Sequence, residues 1–142
     1  PEVEGDVCIP FGRARIVAEG ADITVVTNSM MTIKAEKAVR QLQKEGISAE
    51  LIDLRTIVPL DTETIIRSVK KTGKLLIVDE GHLSFGITGE IASRIMPDVF
   101  YDLDAPIQRM GTADVPLPFS PALEFPLIPD EKKIAAKIRE MV

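Results

Sequence analysis

The feature that most limits the fold of this chain is a short, uninterrupted apolar run, Leu75-Leu76-Ile77-Val78, between Lys74 and Asp79. A strand that is covered on one face alternates apolar and polar residues, whereas a parallel strand is buried on both faces and carries an apolar run. The β-branched segment ITVVT at 23–27 lies between turn residues and predicts a second buried strand. Together the two segments predict an α/β fold.

Apolar residues at helical spacing lie between the predicted strands. Residues 31–42 predict a helix, because their apolar side chains fall on one face; these are Met31, Ala35, Ala38, Val39 and Leu42. Asn28 or Ser29 can cap the start of this helix, and Gly46 is placed to end it in a left-handed conformation.

The remaining pattern predicts further strands, and these are at 14–19, 49–54 and 107–110. It also predicts a helix that Pro59 and Asp61 introduce and Gly73 closes, with Glu63 placed favourably for the dipole at its N-terminus. A third helix follows Gly86 and is expected to stop at Pro97, since proline lacks the N–H that a helix interior needs. The last helix is predicted at 130–142.

These elements predict a single domain over residues 1–142, built as three layers with helices on both faces of a mostly parallel mixed sheet. A length of 142 residues is close to the commonest domain size. We expect residues 1–12 to be a lead-in segment. Five prolines between residues 116 and 129 exclude a long regular element there, so this segment is predicted to be an extended strap on the surface.

Composition excludes several classes of function. The formal charge is −5, and Lys and Arg are mixed with acids, so the chain lacks the basic face that nucleic acid or anionic lipid would need. Its apolar runs are too short to cross a bilayer. A single cysteine, Cys8, excludes an internal disulfide and a multi-cysteine metal site, and we interpret it as a small, half-buried residue. These features favour a reducing, cytosol-like compartment.

The loops after the predicted strands are the places to look for chemistry, because ligands of open α/β sheets bind beyond the carboxyl ends of the strands. The loop DEGH at 79–82 carries two carboxylates and the only histidine, His82, and a helix opens at Gly86. One interpretation makes His82 a general base, or the helix start an anion site. We prefer a surface or interface residue, because no paired nucleophile or ligand set accompanies the histidine.

Familiar catalytic motifs are missing. The spacing of Gly81, Gly86 and Gly89 does not match the dinucleotide fingerprint, and the sequence has neither a Walker lysine loop nor a nucleophile elbow. Asp53 and Arg55 are two residues apart, so in a strand their side chains point the same way, and we expect them to form an ion pair. The chain is therefore short of reactive groups for an enzyme.

Several separate segments carry a family resemblance in their order and spacing. They are IDLRTIVPLD at 52–61, VDEGH at 78–82, FG at 85–86, GEIA at 89–92, LDAP at 103–106 and GTADVPLPF at 111–119. In these segments and in the last helix, the chain resembles the C-terminal, transketolase-like domain of the beta subunit of thiamine-diphosphate-dependent pyruvate, branched-chain 2-oxo acid and acetoin dehydrogenases. The resemblance covers essentially the whole chain but does not select one of the three substrates.

The resemblance implies an assembly and docking domain that is not catalytic alone. The complete enzyme would oxidatively decarboxylate a 2-oxo acid, or cleave acetoin, and pass the acyl group to a lipoyl acyltransferase core. Thiamine diphosphate and magnesium would bind outside this segment, so no catalytic, cofactor-binding or metal-binding residue is assigned in it. The implied partners are an alpha subunit, a second beta subunit and the basic subunit-binding domain of the core. The cytoplasm is preferred over an organelle matrix.

Two groups of residues become interface candidates. By position and charge, the resemblance implies that the basic subunit-binding domain docks on Asp102, Asp104 and the carboxylate of Val142. The contact between paired beta subunits is expected to involve His82, Phe85, Gly86 and Gly89. The reason is a large apolar side chain in a polar loop, beside small residues that permit close approach. The alternative function is a free-standing α/β module that binds a nucleotide or small anion at the Gly86 helix start.

Overall fold

The computed structural model describes residues 9–142, so Cys8 lies outside the described residues. Its strands are β1 Arg15–Ala18, β2 Ile23–Thr27, β3 Ala49–Asp53, β4 Leu75–His82 and β5 Gln108–Thr112. They form one sheet in the order β1-β3-β2-β4-β5. β1 runs antiparallel to β3, and the other neighbours run parallel. The predicted mostly parallel mixed sheet is confirmed.

Helices cover both faces of this sheet. They are α1 Ser29–Gln43, α2 Thr62–Thr72, α3 Ile87–Val99, the single turn α4 Pro121–Glu124 and α5 Glu131–Met141. α1 packs beside α5 on one face, and α2 packs beside α3 on the other. The three-layer architecture predicted from the sequence is therefore confirmed, with α4 as a short addition inside the segment 116–129.

Strand β4 shows why its apolar run is continuous. Leu76 and Val78 pack in the cluster under α1 and α5, whereas Leu75 and Ile77 pack in the cluster under α2 and α3. All four side chains are at most 1% exposed. Because successive side chains of a strand point to opposite faces, both faces of β4 need apolar residues when both are covered.

Asp61 begins α2 as predicted, and it also fixes the lead-in to β1. Its carboxylate accepts hydrogen bonds from the backbone N–H and the hydroxyl of Thr64, at 3.1 and 2.8 Å, and from the N–H of Ala14 at 2.9 Å. Burial alone would raise the pKa of Asp61, but these donors outweigh it and hold the pKa below its usual value. At its other end, α2 closes at Gly73, which has a φ of 68°.

Two of the differences from the sequence predictions concern the ends of β4 and α3. β4 continues to His82, so residues 79–82 are strand and not loop, and His82 pairs with Thr112 of β5. The expectation that Pro97 stops α3 is wrong, because the helix continues to Val99 and a 3-10 turn follows at Phe100–Asp102. Pro97 is exposed, so water can satisfy the carbonyl that loses its donor, and the next turn buries Val99.

The parallel strands give the domain two ends, which we call the carboxyl edge and the amino edge after the strand ends that lie there. Helix α5 runs from one end to the other alongside α1. Near the carboxyl edge, Lys34 Nζ donates to the Pro129 carbonyl at 3.0 Å. At the amino edge, the guanidinium of Arg139 donates twice to Glu45, at 2.7 and 2.8 Å. Across residues 9–142, no helix is both long and apolar enough to span a membrane.

Candidate partner-binding surfaces

The turn between β4 and α3 brings together the residues predicted at a subunit interface. The ring of His82 places Nε2 3.1 Å from the carbonyl oxygen of Val115. Phe85 is fully exposed and has a φ of 56°, a left-handed conformation that is costly for a bulky side chain. Gly86 is the N-cap of α3, and a side chain at Gly89 would meet the guanidinium of a neighbouring arginine. The subunit contact itself stays a prediction.

The turn that carries Phe85 is held by hydrogen bonds on both sides. The backbone N–H and the hydroxyl of Ser84 donate to the carboxylate of Asp114, at 3.2 and 2.5 Å. The hydroxyl contributes most and the N–H next, and together they lower the pKa of Asp114. Arg109 Nη1 donates to the Leu83 carbonyl at 3.2 Å. Phe85 is therefore presented to solvent by a fixed turn.

Further exposed apolar side chains lie in the other segments at the carboxyl edge. We call this set the carboxyl-edge apolar surface; it comprises Phe11, Met30, Ile33, Ile57, Val58, Phe85, Val115, Leu117, Phe119, Leu123 and Phe125. Its four phenylalanines are each at least 67% exposed. At about 200 Å² per aromatic side chain, they alone present roughly 700 Å². That area approaches the ~800 Å² per partner of a standard protein interface.

The distribution of aromatic residues supports this assignment of the surface. The sequence contains five Phe, one Tyr and no Trp. All six aromatic side chains are exposed, whereas the core consists of aliphatic side chains and methionine. Aromatic residues are enriched in interface cores because they bury a large area with few rotatable bonds. Two of the six, Phe100 and Tyr101, lie away from the carboxyl edge.

A polar cleft of about 410 Å³ also opens on the carboxyl edge, lined by Asn28, Ser29, Asp53, Arg55 and Ile57. Asn28 is the N-cap of α1, but its side chain does not cap the helix, and its buried Oδ1 has no partner within residues 9–142. The predicted ion pair between Asp53 and Arg55 is wrong. Arg55 has a φ of 58°, and its backbone N–H, rather than its guanidinium, donates to Asp53 at 3.2 Å.

The predicted docking residues lie together on the amino edge. The backbone N–H of Asp104 donates to the Gly73 carbonyl at 2.8 Å. The next residue, Lys74, reaches the last residue, Val142, with an Nζ to oxygen distance of 3.5 Å. Asp104 and Val142 therefore flank one short segment. Asp102 lies on the same side and pairs with a lysine of α2 at 3.8 Å, a pair exposed enough to be weak.

Sequence reasoning missed a buried charge at this edge. Glu50 of β3 is 1% exposed and accepts hydrogen bonds from the ammonium group of Lys71 and from the N–H of Gly20. Burial raises the pKa of Glu50, but the Lys71 hydrogen bond and further donors outweigh it, so the pKa lies below its usual value. The glutamate among apolar residues near the start of the strand AELID was the available signal, since an ionised side chain in a buried strand requires a partner.

The alternative of an anion site at the Gly86 helix start finds little support. A β-carbon on Gly86 would overlap the carbonyl oxygen of His82, so a close backbone approach explains the glycine. Glu90 lies in the first turn of α3, where its negative charge opposes a bound anion. In the described part of the chain, no group of three or more His, Cys, Asp or Glu could hold a metal ion.

Comparison with known proteins gives the context of these surfaces. The family described as "Transketolase, C-terminal domain" matches residues 12–134. The beta subunit of a pyruvate dehydrogenase E1 component from Rickettsia felis is 47% identical over 94% of this chain and 41% of its own length. The beta subunit of an acetoin:2,6-dichlorophenolindophenol oxidoreductase from Cupriavidus necator is 42% identical over 96% of this chain and 40% of its own length. A 2-oxoisovalerate dehydrogenase subunit beta from Bacillus subtilis is 41% identical over 96% of this chain and 42% of its own length.

Solved structures agree on the fold. A split-gene transketolase, described as an inactive beta4 tetramer, superposes with a TM-score of 0.79 at 27% identity and covers 99% of this chain and 45% of that one. A transketolase variant from Pichia stipitis superposes with a TM-score of 0.62 at 15% identity over 90% of this chain and 18% of that one, which supports the fold alone. The chain thus spans about two fifths of the length of the curated relatives described above.

Proposed function

Because this chain belongs to the family of transketolase C-terminal domains, we propose that it is the C-terminal domain of the beta subunit of a thiamine-diphosphate-dependent dehydrogenase. The observation that carries the proposal is that relatives named for pyruvate, acetoin and 2-oxoisovalerate are all beta subunits and align over at least 94% of this chain. The substrate would accordingly be a 2-oxo acid or acetoin. Since relatives include bacterial and mitochondrial proteins, the compartment would be a cytoplasm or an organelle matrix.

We place thiamine diphosphate and its magnesium ion outside this segment. Thiamine diphosphate supplies the carbanion chemistry of such enzymes. A magnesium ion with bound phosphates needs at least one or two carboxylate or carbonyl ligands in the right geometry. The placement is supported by the relatives, because this chain covers only about two fifths of their length and the larger part of such a subunit remains to hold the site. The role of this domain would then be to position partners rather than to perform the reaction.

The first proposed role is assembly with an alpha subunit and a second beta subunit through the carboxyl-edge apolar surface. Its exposed phenylalanines would be costly to leave in water on a monomer, and patches of this size mark contact sites. Phe85 supports the role most directly, because it combines full exposure with a strained backbone. His82, Gly86 and Gly89 surround it, but the space beside the two glycines is taken by the His82 carbonyl oxygen and the Arg109 guanidinium of this chain, so the proposal rests on Phe85.

The second proposed role is docking of the basic subunit-binding domain of the acyltransferase core on the amino edge. Asp102 and Asp104, with the end of α5 at Val142 beside them, form the acidic group. The hydrogen bonds around Gly73 and Lys74 support this grouping, because they bring the Asp104 turn and the end of α5 together. Charges of this kind mainly accelerate association, so docking should weaken as salt is added.

One experiment tests the assignment as a non-catalytic domain together with the docking role. The 142-residue chain would be assayed for thiamine-diphosphate-dependent turnover of pyruvate, branched-chain 2-oxo acids and acetoin, alone and after mixing with the subunit-binding domain. We expect no turnover. We expect saturable binding of that domain, with a lower association rate for the variant Asp102→Asn/Asp104→Asn. Turnover by the chain alone would refute the assignment as a non-catalytic domain. Unchanged association of the double variant would refute the acidic docking site.

A further inference from the structure

Of the two aromatic residues that lie away from the carboxyl edge, Phe100 borders a groove and Tyr101 packs against Phe100. Phe100 and Tyr101 follow α3, are 62% and 95% exposed, and pack edge to face with ring centroids 5.1 Å apart. Edge-to-face packing fixes the position of both rings relative to each other. Phe100 forms one wall of an open groove of about 630 Å³, which we call the α3 groove.

The walls of the α3 groove are mainly apolar. Ala92, Met96 and Phe100 are four residues apart, so they form one stripe along α3 and the turn that follows it. Opposite this stripe, the connection to β5 contributes Leu103, Ala105, Pro106 and Ile107. A volume of this size lies within the range of pockets that hold drug-sized groups, so several large side chains would fit.

The charges at the groove indicate which partner fits it. Asp104 lines the groove and also belongs to the acidic group proposed for docking. Arg109 lines it too, but its Nη1 donates to the Leu83 carbonyl at 3.2 Å, towards the opposite end of α3 from Asp104. On the far side of the Ala105–Pro106 ridge, a second small cleft reaches Met141 of α5. The groove and the docking residues thus form one continuous surface on the amino edge. Its apolar walls favour an apolar side chain, and its acidic end favours a cation beside that side chain.

We propose that the α3 groove receives an apolar side chain of the basic subunit-binding domain, next to a basic residue that pairs with Asp104. The inference rests on the docking role proposed above and adds the contact that holds the complex together. Long-range charge attraction sets the association rate, whereas a buried apolar or aromatic contact sets the dissociation rate. The two parts of the surface are therefore separable by kinetics.

The test measures binding kinetics of the complete 142-residue chain to the immobilised subunit-binding domain of the partner acyltransferase. Phe100→Ser should raise the dissociation rate about tenfold or more, as loss of an interface anchor does, with little change in the association rate. The matched control is Phe125→Ser, because that phenylalanine is similarly exposed at 67% but lies at the carboxyl edge. Tyr101→Ser, which changes an almost fully exposed residue, provides a second variant if Phe100→Ser does not fold.

A second readout observes the groove directly. In a spectrum of ¹³C-labelled methionine methyl groups, addition of the domain should shift the signal of Met96, which lines the groove, and leave that of Met30 on the carboxyl edge unchanged. Normal dissociation of both variants at the amino edge, or equal acceleration by Phe125→Ser, would overturn the groove proposal while docking stands. Absence of any binding by the unsubstituted chain would overturn the docking role, and the groove proposal with it.

Discussion

The two edges of this domain differ in whether their side chains find partners within the chain. At the amino edge, charges meet partners within the chain: Glu50 pairs with Lys71, and Glu45 pairs with Arg139 through two hydrogen bonds. At the carboxyl edge, many large apolar side chains are exposed, and the fully exposed Phe85 has a strained backbone. Both edges belong to the same sheet, so the fold itself does not require the difference.

This difference suggests that the ion pairs of the amino edge stabilise the fold, whereas exposed aromatic side chains serve association. An ion pair with a buried member stabilises the chain that contains it, because removal of one partner leaves an uncompensated charge. An exposed aromatic side chain gives the isolated chain little, and it contributes only when a second surface covers it. We therefore expect substitutions in the ion pairs of the amino edge to change folding stability. Substitutions at the carboxyl edge should change association.

The largest expected effect comes from a substitution in β4, which runs between the two edges. Unfolding of the domain would remove both edges at once. Ile77→Asp places a charge in a site that is 1% exposed between α2 and α3. The expected loss is several kcal/mol, against a whole-domain stability of ~5–15 kcal/mol, so the chain should not fold at ordinary temperature. Urea denaturation followed by circular dichroism measures this. Ile33→Asp, at an exposed site on α1, is the control and should fold normally.

How far the sequence predicts this structure depends on the kind of signal. The apolar run at Leu75–Val78 and the periodic helix after Asn28 predict elements that the structure confirms, because burial fixes their pattern. The ion pair of Asp53 with Arg55 could not be predicted correctly, because the left-handed φ of Arg55 follows from how the chain turns after β3. The prediction that α3 ends at Pro97 was wrong for a similar reason. The helix continues because Pro97 is exposed and the next turn buries Val99, and neither fact can be read from the proline alone.

The candidate surfaces show the same limit. A phenylalanine in the polar loop after β4 predicted an exposed apolar residue, and Phe85 is exposed. The strap phenylalanines Phe119 and Phe125 carried no such signal, because apolar residues between prolines read equally well as packed or exposed. The grouping of Asp104 with Val142 depends on contacts between distant segments. Sequence spacing alone does not encode such contacts, whereas a family resemblance can point to them.

The next effect in size tests the amino edge alone. Lys71→Met removes the ammonium partner of the buried Glu50 but keeps the length of the side chain. We expect a loss of about 2–3 kcal/mol at pH 7, below the usual cost for a fully buried pair because Lys71 is half exposed. Urea titration measures it. Lys70→Met, which removes only an exposed pair with Asp102, should cost less than about 0.5 kcal/mol.

The pH dependence of this pair gives a sharper check. In the unsubstituted chain the pKa of Glu50 is lowered, so its stabilisation is present above its unfolded pKa and is lost as pH falls through the folded pKa. In Lys71→Met, burial dominates and raises that pKa, so protonation in acid relieves the destabilisation. The stability difference between the two chains should therefore shrink from pH 7 to pH 4. A difference that stays constant over this interval would remove Glu50 as its cause.

The smallest effect on stability, and the clearest contrast between the edges, is expected at Phe85. Glycine adopts a φ of 56° without the cost of about 1–2 kcal/mol that a residue with a β-carbon bears, but it loses more entropy on folding. Phe85→Gly should therefore leave the isolated chain unchanged or stabilise it by up to ~1 kcal/mol. Phe119→Gly is the matched control, because Phe119 is equally exposed on the same edge and lacks a positive φ. It should lose roughly 0.5–1 kcal/mol.

Association should respond in the opposite direction to stability. If Phe85 is an anchor between chains, Phe85→Gly should weaken self-association about tenfold or more, as measured by sedimentation equilibrium, although the fold is as stable as before. An anchor that the fold holds in a costly conformation is expected where selection acts on assembly rather than on the stability of the single chain. If Phe85→Gly self-associated as strongly as the unsubstituted chain and was less stable, Phe85 would instead have a role inside its own domain.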